Sequence, residues 1–172
     1  MRHILQVVVL ITLPALTAAT IVDTPQQISA RVKALGAKAV VSEIYAHPDR
    51  WNSVLSGISS GSRAWLDVAR VLISGADGDS SEQLSEAAGN TLEKNAAAAL
   101  EILWSDYGLG MCRFMPDTSN PKYSTKSKAM EGLESRVQYL RRVTAPKLKE
   151  ARDACVAELL TWKTEIEQMY RK

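Results

Sequence analysis

The spacing of apolar residues is the feature of this sequence that most constrains its fold. From Thr24 onwards, apolar side chains recur three or four positions apart. No stretch shows the sustained alternation of apolar and polar residues that is typical of a strand. Because a period of about 3.6 places apolar side chains on one face of a helix, the sequence predicts an all-α fold.

Short helices are predicted for residues 24–107, because breakers interrupt the apolar pattern at close intervals. The breakers are Thr24-Pro25, Gly36, His47-Pro48, Ser60-Gly61-Ser62 and the turn Gly75-Ala76-Asp77-Gly78-Asp79. The segment Arg63–Ile73 is the most clearly amphipathic, and Ser80 or Ser81 is expected to cap the helix after the turn. This pattern fits either an irregular helical bundle or a short αα-repeat-like array.

A long helical hairpin is predicted for residues 125–171, after an irregular loop at residues 108–124. Two apolar stripes with helical spacing lie on either side of Pro146. The first stripe comprises Met130, Leu133, Val137 and Leu140, and the second comprises Leu148, Ala151, Cys155, Leu159, Trp162, Ile166 and Met169. A proline between two such stripes is typical of two antiparallel helices joined by a short turn.

Residues 1–19 have the pattern of a cleavable signal peptide. Arg2 precedes a largely apolar run over residues 4–16, and Thr17-Ala18-Ala19 supplies the small residues of a cleavage site. The apolar run is shorter than the roughly 20 residues that span a bilayer. We therefore expect export, cleavage after Ala19, and a single helical domain over residues 20–172 in the periplasm or outside the cell.

The two cysteines, Cys112 and Cys155, both lie beyond the predicted cleavage site. In an oxidising compartment, an even number of cysteines in a small domain usually forms disulfides. The sequence therefore predicts a Cys112–Cys155 disulfide, which would tie the irregular loop to the last helix. Closing a loop of this length stabilises a fold by about 4 kcal/mol in a chain-entropy treatment.

Charge is distributed unevenly along the chain. Residues 20–112 carry 7 basic and 11 acidic side chains, whereas residues 113–172 carry 13 basic and 8 acidic ones. Two interpretations are open: the halves attract each other across the fold, or the basic half binds an acidic partner or anionic lipids. Because the whole chain has a formal charge of only +2, no nucleic-acid partner is expected.

Four tryptophans raise the question of a binding surface. Trp51, Trp65 and Trp162 fall on apolar helical stripes, which favours packing in the core. Trp104 lies near a predicted helix end, beside Tyr107 and the irregular loop. Exposed aromatic side chains often anchor protein interfaces, so Trp104 and Tyr107 are the predicted partner-binding residues.

Paired carboxylates are the main catalytic alternative, because two of them can cleave the glycosidic bonds of peptidoglycan. The candidates in the first half are Glu43, Asp49, Asp67 and Glu101, although their spacing does not place two of them around a cleft. His47 is the single histidine beyond residue 19, which leaves little basis for a histidine-dependent triad or a common zinc site. A peptidoglycan hydrolase is therefore an alternative function.

The loop peptide Met111-Cys112-Arg113-Phe114-Met115 allows a second alternative, a Cu(I) carrier. A thiolate and two thioethers suit this soft cation, and the ligands would be Met111, Cys112 and Met115. A disulfide at Cys112 would remove the thiolate, and the methionines would then pack over the core. We expect the disulfide-bonded arrangement, with no cofactor and no metal.

The segment from Trp51 to Ala69, with Gly75-Ala76-Asp77 and the helix after it, resembles uncharacterised small exported helical proteins of Proteobacteria. The resemblance covers residues 48–105 and is carried by apolar spacing and glycines. It implies a bacterial, periplasmic setting and assigns no site residues. The sequence as a whole predicts an exported, non-enzymatic binding protein with a protein partner, for example one of the immunity or inhibitor type.

Overall fold

The computed structural model describes residues 23–114, 116 and 118–171. Within these residues the chain forms eight α-helices, two 3₁₀ helices and no strand, which confirms the predicted all-α fold. The predicted signal peptide over residues 1–19 lies outside the described residues. The α-helices are α1 (Pro25–Leu35), α2 (Ala37–Tyr45), α3 (Pro48–Ser59), α4 (Arg63–Ile73), α5 (Gly78–Asn90), α6 (Leu92–Tyr107), α7 (Lys126–Arg141) and α8 (Lys149–Met169).

The first helix begins and ends at the predicted residues. The Thr24 hydroxyl accepts a hydrogen bond from the Gln27 backbone N–H at 3.3 Å, and Gln27 Oε1 accepts one from the Thr24 N–H at 3.0 Å. This reciprocal capping box satisfies two backbone donors that the helix itself leaves free. Gly36 ends α1 with a φ of +83°, which glycine adopts without strain, and α2 begins at the next residue.

The helix after the turn at residues 75–79 begins earlier than predicted. Asp77, rather than Ser80 or Ser81, is the N-cap residue, and α5 begins at Gly78. The Ser80 hydroxyl accepts a hydrogen bond from the Asp77 N–H at 3.0 Å, and Ser80 is buried. The predicted serine cap is therefore wrong, because Ser80 takes the reciprocal position of an aspartate capping box.

The helix α6 is interrupted at Asn95. Asn95 has a non-helical φ of −152° and ψ of 64°. Its side-chain oxygen accepts a hydrogen bond from the Ala98 N–H at 3.3 Å, and its amide donates one to the Gly61 carbonyl at 3.2 Å. Asn95 therefore caps the longer part of α6 and attaches it to the turn between α3 and α4.

The short helices pack around α4, which contacts both α1 and α6, while α3 packs on α5. Glycine at position 75 lets the end of α4 approach the start of α2, because a Cβ there would lie 2.3 Å from the Ala37 carbonyl carbon. Four of the 11 residues of α4 are buried, and they are Leu66, Val68, Ala69 and Leu72. The centre of the short-helix region is thus an apolar core to which α4 contributes four side chains.

The predicted hairpin is formed by α7 and α8, with the 3₁₀ helix Pro146–Leu148 in the turn. The Tyr170 hydroxyl donates a hydrogen bond to the Tyr123 carbonyl, which holds the end of α8 beside the residues that precede α7. Met169 is 41 % exposed, so the last position of the predicted apolar stripe is wrong. Although α8 has 21 residues, neither it nor any other described helix is long and apolar enough to cross a membrane.

Part of the predicted irregular loop at residues 108–124 packs against the rest of the fold. It contains the 3₁₀ helix Gly108–Cys112, which contacts α5, α6 and α8. Phe114 is buried and meets the ring of Tyr123 edge-on, with the centroids 5.4 Å apart. This loop therefore joins the short-helix region to the hairpin.

Candidate functional site

The two cysteines form the predicted disulfide between Cys112 and Cys155. Their Cα atoms are 5.2 Å apart, and both residues are fully buried. The bond attaches the 3₁₀ helix Gly108–Cys112 to the second turn of α8. Because the bridged Cys112 carries no thiolate and Met111 is fully buried, this arrangement offers Cu(I) no open pair of sulfur ligands. The third predicted copper ligand, Met115, lies outside the described residues.

The candidate carboxylate Glu43 belongs to an ion-pair network. Its two oxygens accept hydrogen bonds from Arg31 and, at 3.2 Å, from Arg50. Burial acts to raise the pKa of Glu43, but the hydrogen bonds from the two guanidinium groups outweigh it and hold the pKa below its usual value. Glu43 is thereby kept ionised, which does not suit the general acid of a glycosidase.

The same network contains Asp23, which the sequence interpretation did not single out. Its side chain is 4 % exposed and accepts hydrogen bonds from Arg50 Nε at 2.8 Å and Nη2 at 3.0 Å. Arg31 Nη1 adds a third bond at 3.1 Å. Because these residues precede or belong to α1, α2 and α3, the network joins the first three helices and has a structural role.

The other three candidate carboxylates lie apart from one another on α3, α4 and α6. Glu101 is held by Lys147 and Arg63, and these two cations lower its pKa to about 2. Asp67 pairs with Arg70 at 3.3 Å on the exposed face of α4, and Asp49 is exposed in the first turn of α3. No hydrogen bond or ion pair among the described residues brings two of the four candidates together.

Tyr107 is buried and Trp104 is half-buried, whereas the sequence predicted that both are exposed. Tyr107 is 8 % exposed, its hydroxyl donates a hydrogen bond to the Ala69 carbonyl at 2.8 Å, and burial raises its pKa. The expectation that Tyr107 forms an exposed binding surface therefore does not fit its place in the core. Trp104 is half-buried and packs against the core, so only part of its ring is open to a partner.

The other tryptophans lie against the core, as the apolar stripes predict. Trp51 is 3 % exposed, and its indole N–H donates a hydrogen bond to Gln83 Oε1 at 2.8 Å. Trp65 and Trp162 are half-buried and pack against the core. A ring of this size covers much apolar surface, so these tryptophans contribute to stability.

An open groove between α7 and α8 is the surface feature best suited to binding. It has a volume of about 280 Å³. Its apolar lining consists of Met130, Leu133, Val137 and Leu160, and its polar lining consists of Glu134, Gln138, Arg141 and Lys163. Leu160 is 48 % exposed although it is a large aliphatic residue in a helix. We refer to these eight residues as the hairpin groove.

Within the part of the chain that the structure describes, some charges of the hairpin pair with the short-helix region, and others, including those around the hairpin groove, do not. Glu93 of α6 pairs with Lys122 at 3.0 Å and with the buried Arg136 at 3.0 Å. Burial acts to raise the pKa of Glu93, but its bonds to Arg136 and Lys122 lower it overall. These pairs join the acidic half of the chain to the basic half. By contrast, Glu134, Arg141 and Lys163 form no ion pair among the described residues.

A second concavity, of about 340 Å³, lies at the start of α7 and is less suited to a ligand. Its lysines are already engaged: Lys122 pairs with Glu93, and Lys128 donates to the Pro121 carbonyl at 2.9 Å. A ligand would have to replace these bonds. The hairpin groove requires no such exchange, which makes it the better candidate site.

Comparisons of this chain with protein families, with curated proteins and with solved structures found no match. The resemblance to small exported helical proteins of Proteobacteria therefore stays a prediction. The candidate site rests on the geometry and charges described above.

Proposed function

We propose that this chain is an exported, non-enzymatic interaction protein of the periplasm, and that it binds a protein through the hairpin groove. An immunity or inhibitor protein is the form of this function that we favour. The observation that carries the proposal is the partly exposed Leu160 beside side chains of both charges that the described part of the chain leaves without an ion-pair partner.

Export is supported by the pattern of residues 1–19 together with the disulfide. Disulfides persist in the periplasm and outside the cell, whereas the cytosol keeps most thiols reduced. Cys112 and Cys155 are both fully buried, as structural bridges usually are. The two features are independent, because one lies in residues 1–19 and the other in the folded domain.

Binding through the hairpin groove is supported by the general anatomy of protein interfaces. Such interfaces have an apolar centre and a polar rim, and the groove has Leu160 and Met130 beside Glu134 and Arg141. Covering Leu160 would remove apolar surface from water, and pairing Glu134 and Arg141 would set the orientation of the partner.

Hydrolysis of peptidoglycan has less support. A glycosidase needs one carboxyl group whose pKa is raised and a second carboxylate at a defined distance. The pKa values of Glu43 and Glu101 are lowered instead, and these residues sit on different helices. A copper carrier has less support because Cys112 is bridged.

Export is tested by expressing the full chain with its own residues 1–19 in a Gram-negative host and analysing the periplasmic fraction. We expect a product that begins at Thr20 and has no thiol that reacts with an alkylating reagent before reduction. A full-length product that stays in the cytoplasm with two reactive thiols would contradict export.

Binding is tested by immobilising the tagged mature protein and exposing it to a periplasmic extract of the source bacterium. We expect one salt-resistant partner that is retained by the wild type and lost with Leu160→Glu. The matched control is Leu35→Glu, because Leu35 is 60 % exposed on α1, remote in sequence from the hairpin groove. Retention that is unaffected by Leu160→Glu, or equally reduced by both variants, would refute the proposed surface.

A further inference from the structure

The hairpin groove carries opposite charges at a spacing that a second copy of the same surface can match. Glu134 and Arg141 lie seven residues apart on α7, which is close to two full helical turns. They therefore project from the same side of the helix, about 10 Å apart along its axis. Both line the groove and both are exposed.

A twofold axis makes this spacing self-complementary. When two copies of α7 lie antiparallel, with the axis passing between Val137 and Gln138, Glu134 of each copy comes opposite Arg141 of the other. A twofold interface always forms each such contact twice. Two reciprocal ion pairs would thus form around a centre lined by Val137 and Gln138.

The apolar part of the groove also fits this arrangement. Leu160 of α8 lies beside the centre of the proposed contact and is 48 % exposed in the single chain. A second hairpin packed on this face would cover it. The contact would then resemble a four-helix bundle made of two hairpins, in which exposed aliphatic side chains become interior ones.

The mixed charge of the groove favours a second copy over a strongly acidic partner. An acidic segment would be attracted by Arg141 and Lys163 but repelled by Glu134. The groove itself supplies one carboxylate for each Arg141, so a copy of the same surface pairs Glu134 with Arg141 in both directions and leaves the exposed Lys163 in solvent.

We propose that a second copy of this chain docks on the hairpin groove in a twofold arrangement, with reciprocal contacts between Glu134 and Arg141. This inference rests on the proposed function, in that the hairpin groove is the contact surface. The 16 residues of α7 are about 24 Å long, so two adjacent helices offer roughly 500 Å² per copy. Stable interfaces commonly bury about 800 Å² per partner, so the dimer is weak, with a dissociation constant between about 10 μM and 1 mM.

Sedimentation equilibrium of the mature, disulfide-bonded protein tests the association over roughly 5 μM to 2 mM, the range that brackets this affinity. We expect a reversible monomer–dimer equilibrium that weakens as salt is added. A monomer at every concentration would overturn the proposal, and so would a dimer that Leu160→Glu leaves unchanged.

Charge reversal tests the pairing itself. Glu134→Arg and Arg141→Glu should each weaken association at least about tenfold, because each creates two like-charge contacts in the dimer. An equimolar mixture of the two variants should form a heterodimer, and the double variant should recover association. Glu165→Arg is the control for Glu134→Arg, since it makes the same change in charge at an exposed position of α8 that does not line the groove.

These experiments separate the self-association from the proposed function. Single variants that associate like the wild type, or a mixture that stays monomeric, would overturn the Glu134–Arg141 pairing. A monomeric protein that still captures another protein through Leu160 would overturn the second copy and leave the interaction function in place. A monomer that captures nothing would overturn both the self-association and the proposed interaction function.

Discussion

The central helix α4 and the last helix α8 bury the same number of residues at very different lengths. Four of the 11 residues of α4 are buried, whereas four of the 21 residues of α8 are buried. One of the four in α8 is Cys155, whose sulfur is bonded to Cys112. In the short-helix region (residues 25–107), α4 is therefore held mainly by packing, and in the hairpin (residues 126–169), α8 is held in addition by the disulfide.

The small buried fraction of α8 leaves room for the proposed binding surface on the hairpin. The exposed face of α4 is polar and carries the Asp67–Arg70 pair, and none of its large apolar side chains is exposed to a partner. A helix secured by one covalent bond and a few buried contacts can leave a large side chain such as Leu160 partly open. Stability and the proposed binding are thus assigned to different parts of the molecule.

The largest effect is expected from removing the disulfide. Replacing Cys112 and Cys155 together by serine should lower the free energy of unfolding by about 4 kcal/mol. The reason is that the unfolded chain gains conformational entropy when the disulfide no longer closes the loop. Urea unfolding of the two proteins measures this difference. A loss below about 1 kcal/mol would mean that the hairpin is held by packing alone, and it would contradict the contrast drawn between α4 and α8.

Truncating a buried leucine should lower the free energy of unfolding much more than truncating the exposed Leu160. Leu66→Ala should cost about 3 kcal/mol of unfolding free energy, since Leu66 is fully buried in α4 and its removal leaves a cavity. Leu160→Ala should cost less than about 0.5 kcal/mol in the monomer. Thermal and urea unfolding of both variants give the two values. Equal costs would show that Leu160 serves the core rather than a surface.

The buried arginine of the hairpin should contribute an intermediate amount. Arg136 is 3 % exposed, donates to Glu93 at 3.0 Å and to Asn90 at 2.5 Å, and its guanidinium lies 4.7 Å from the centre of the Phe114 ring. Arg136→Ala should cost about 2 kcal/mol of unfolding free energy, because it removes these contacts. The exposed Arg142→Ala should stay within about 0.5 kcal/mol of the wild type. Similar losses in the two variants would argue against a special role for Arg136.

The smallest effect is expected at Glu101, and it should depend on pH. The pKa of Glu101 is lowered to about 2 in the folded protein from an ordinary value of 4.5. Its contribution to stability is therefore fully present above pH 4.5 and is lost as the pH falls towards 2. The difference in urea midpoint between wild type and Glu101→Gln should shrink over this window. A difference that is constant from pH 6 to pH 2, the range chosen to bracket the window, would contradict the ion pairs with Arg63 and Lys147.

Local signals in the sequence predicted much of the fold. Thr24-Pro25, Gly36 and Pro48 mark helix ends through backbone chemistry that operates within a few residues, and the helices begin and end there. The disulfide was predictable because the chain has only two cysteines. Such features need no knowledge of what the segment packs against.

The candidate site depends on long-range contacts and was not predictable in the same way. Tyr107 was expected at a surface, but the carbonyl of Ala69, 38 residues earlier, accepts its hydroxyl hydrogen in the core. Predicting the groove would have required knowing how α7 and α8 pack against each other. A local signal was the pair Leu159-Leu160, because successive residues of a helix point about 100° apart and the apolar stripe of the last helix already includes Leu159.

Amide hydrogen exchange of the wild type and of the variant with both cysteines replaced by serine tests most directly whether the two regions are held differently. The account predicts that removing the disulfide speeds exchange more in α8 and in the 3₁₀ helix Gly108–Cys112 than in α4, where exchange follows global unfolding in both proteins. Equal acceleration in α4 and α8 would contradict it, because the molecule would then open as one cooperative unit.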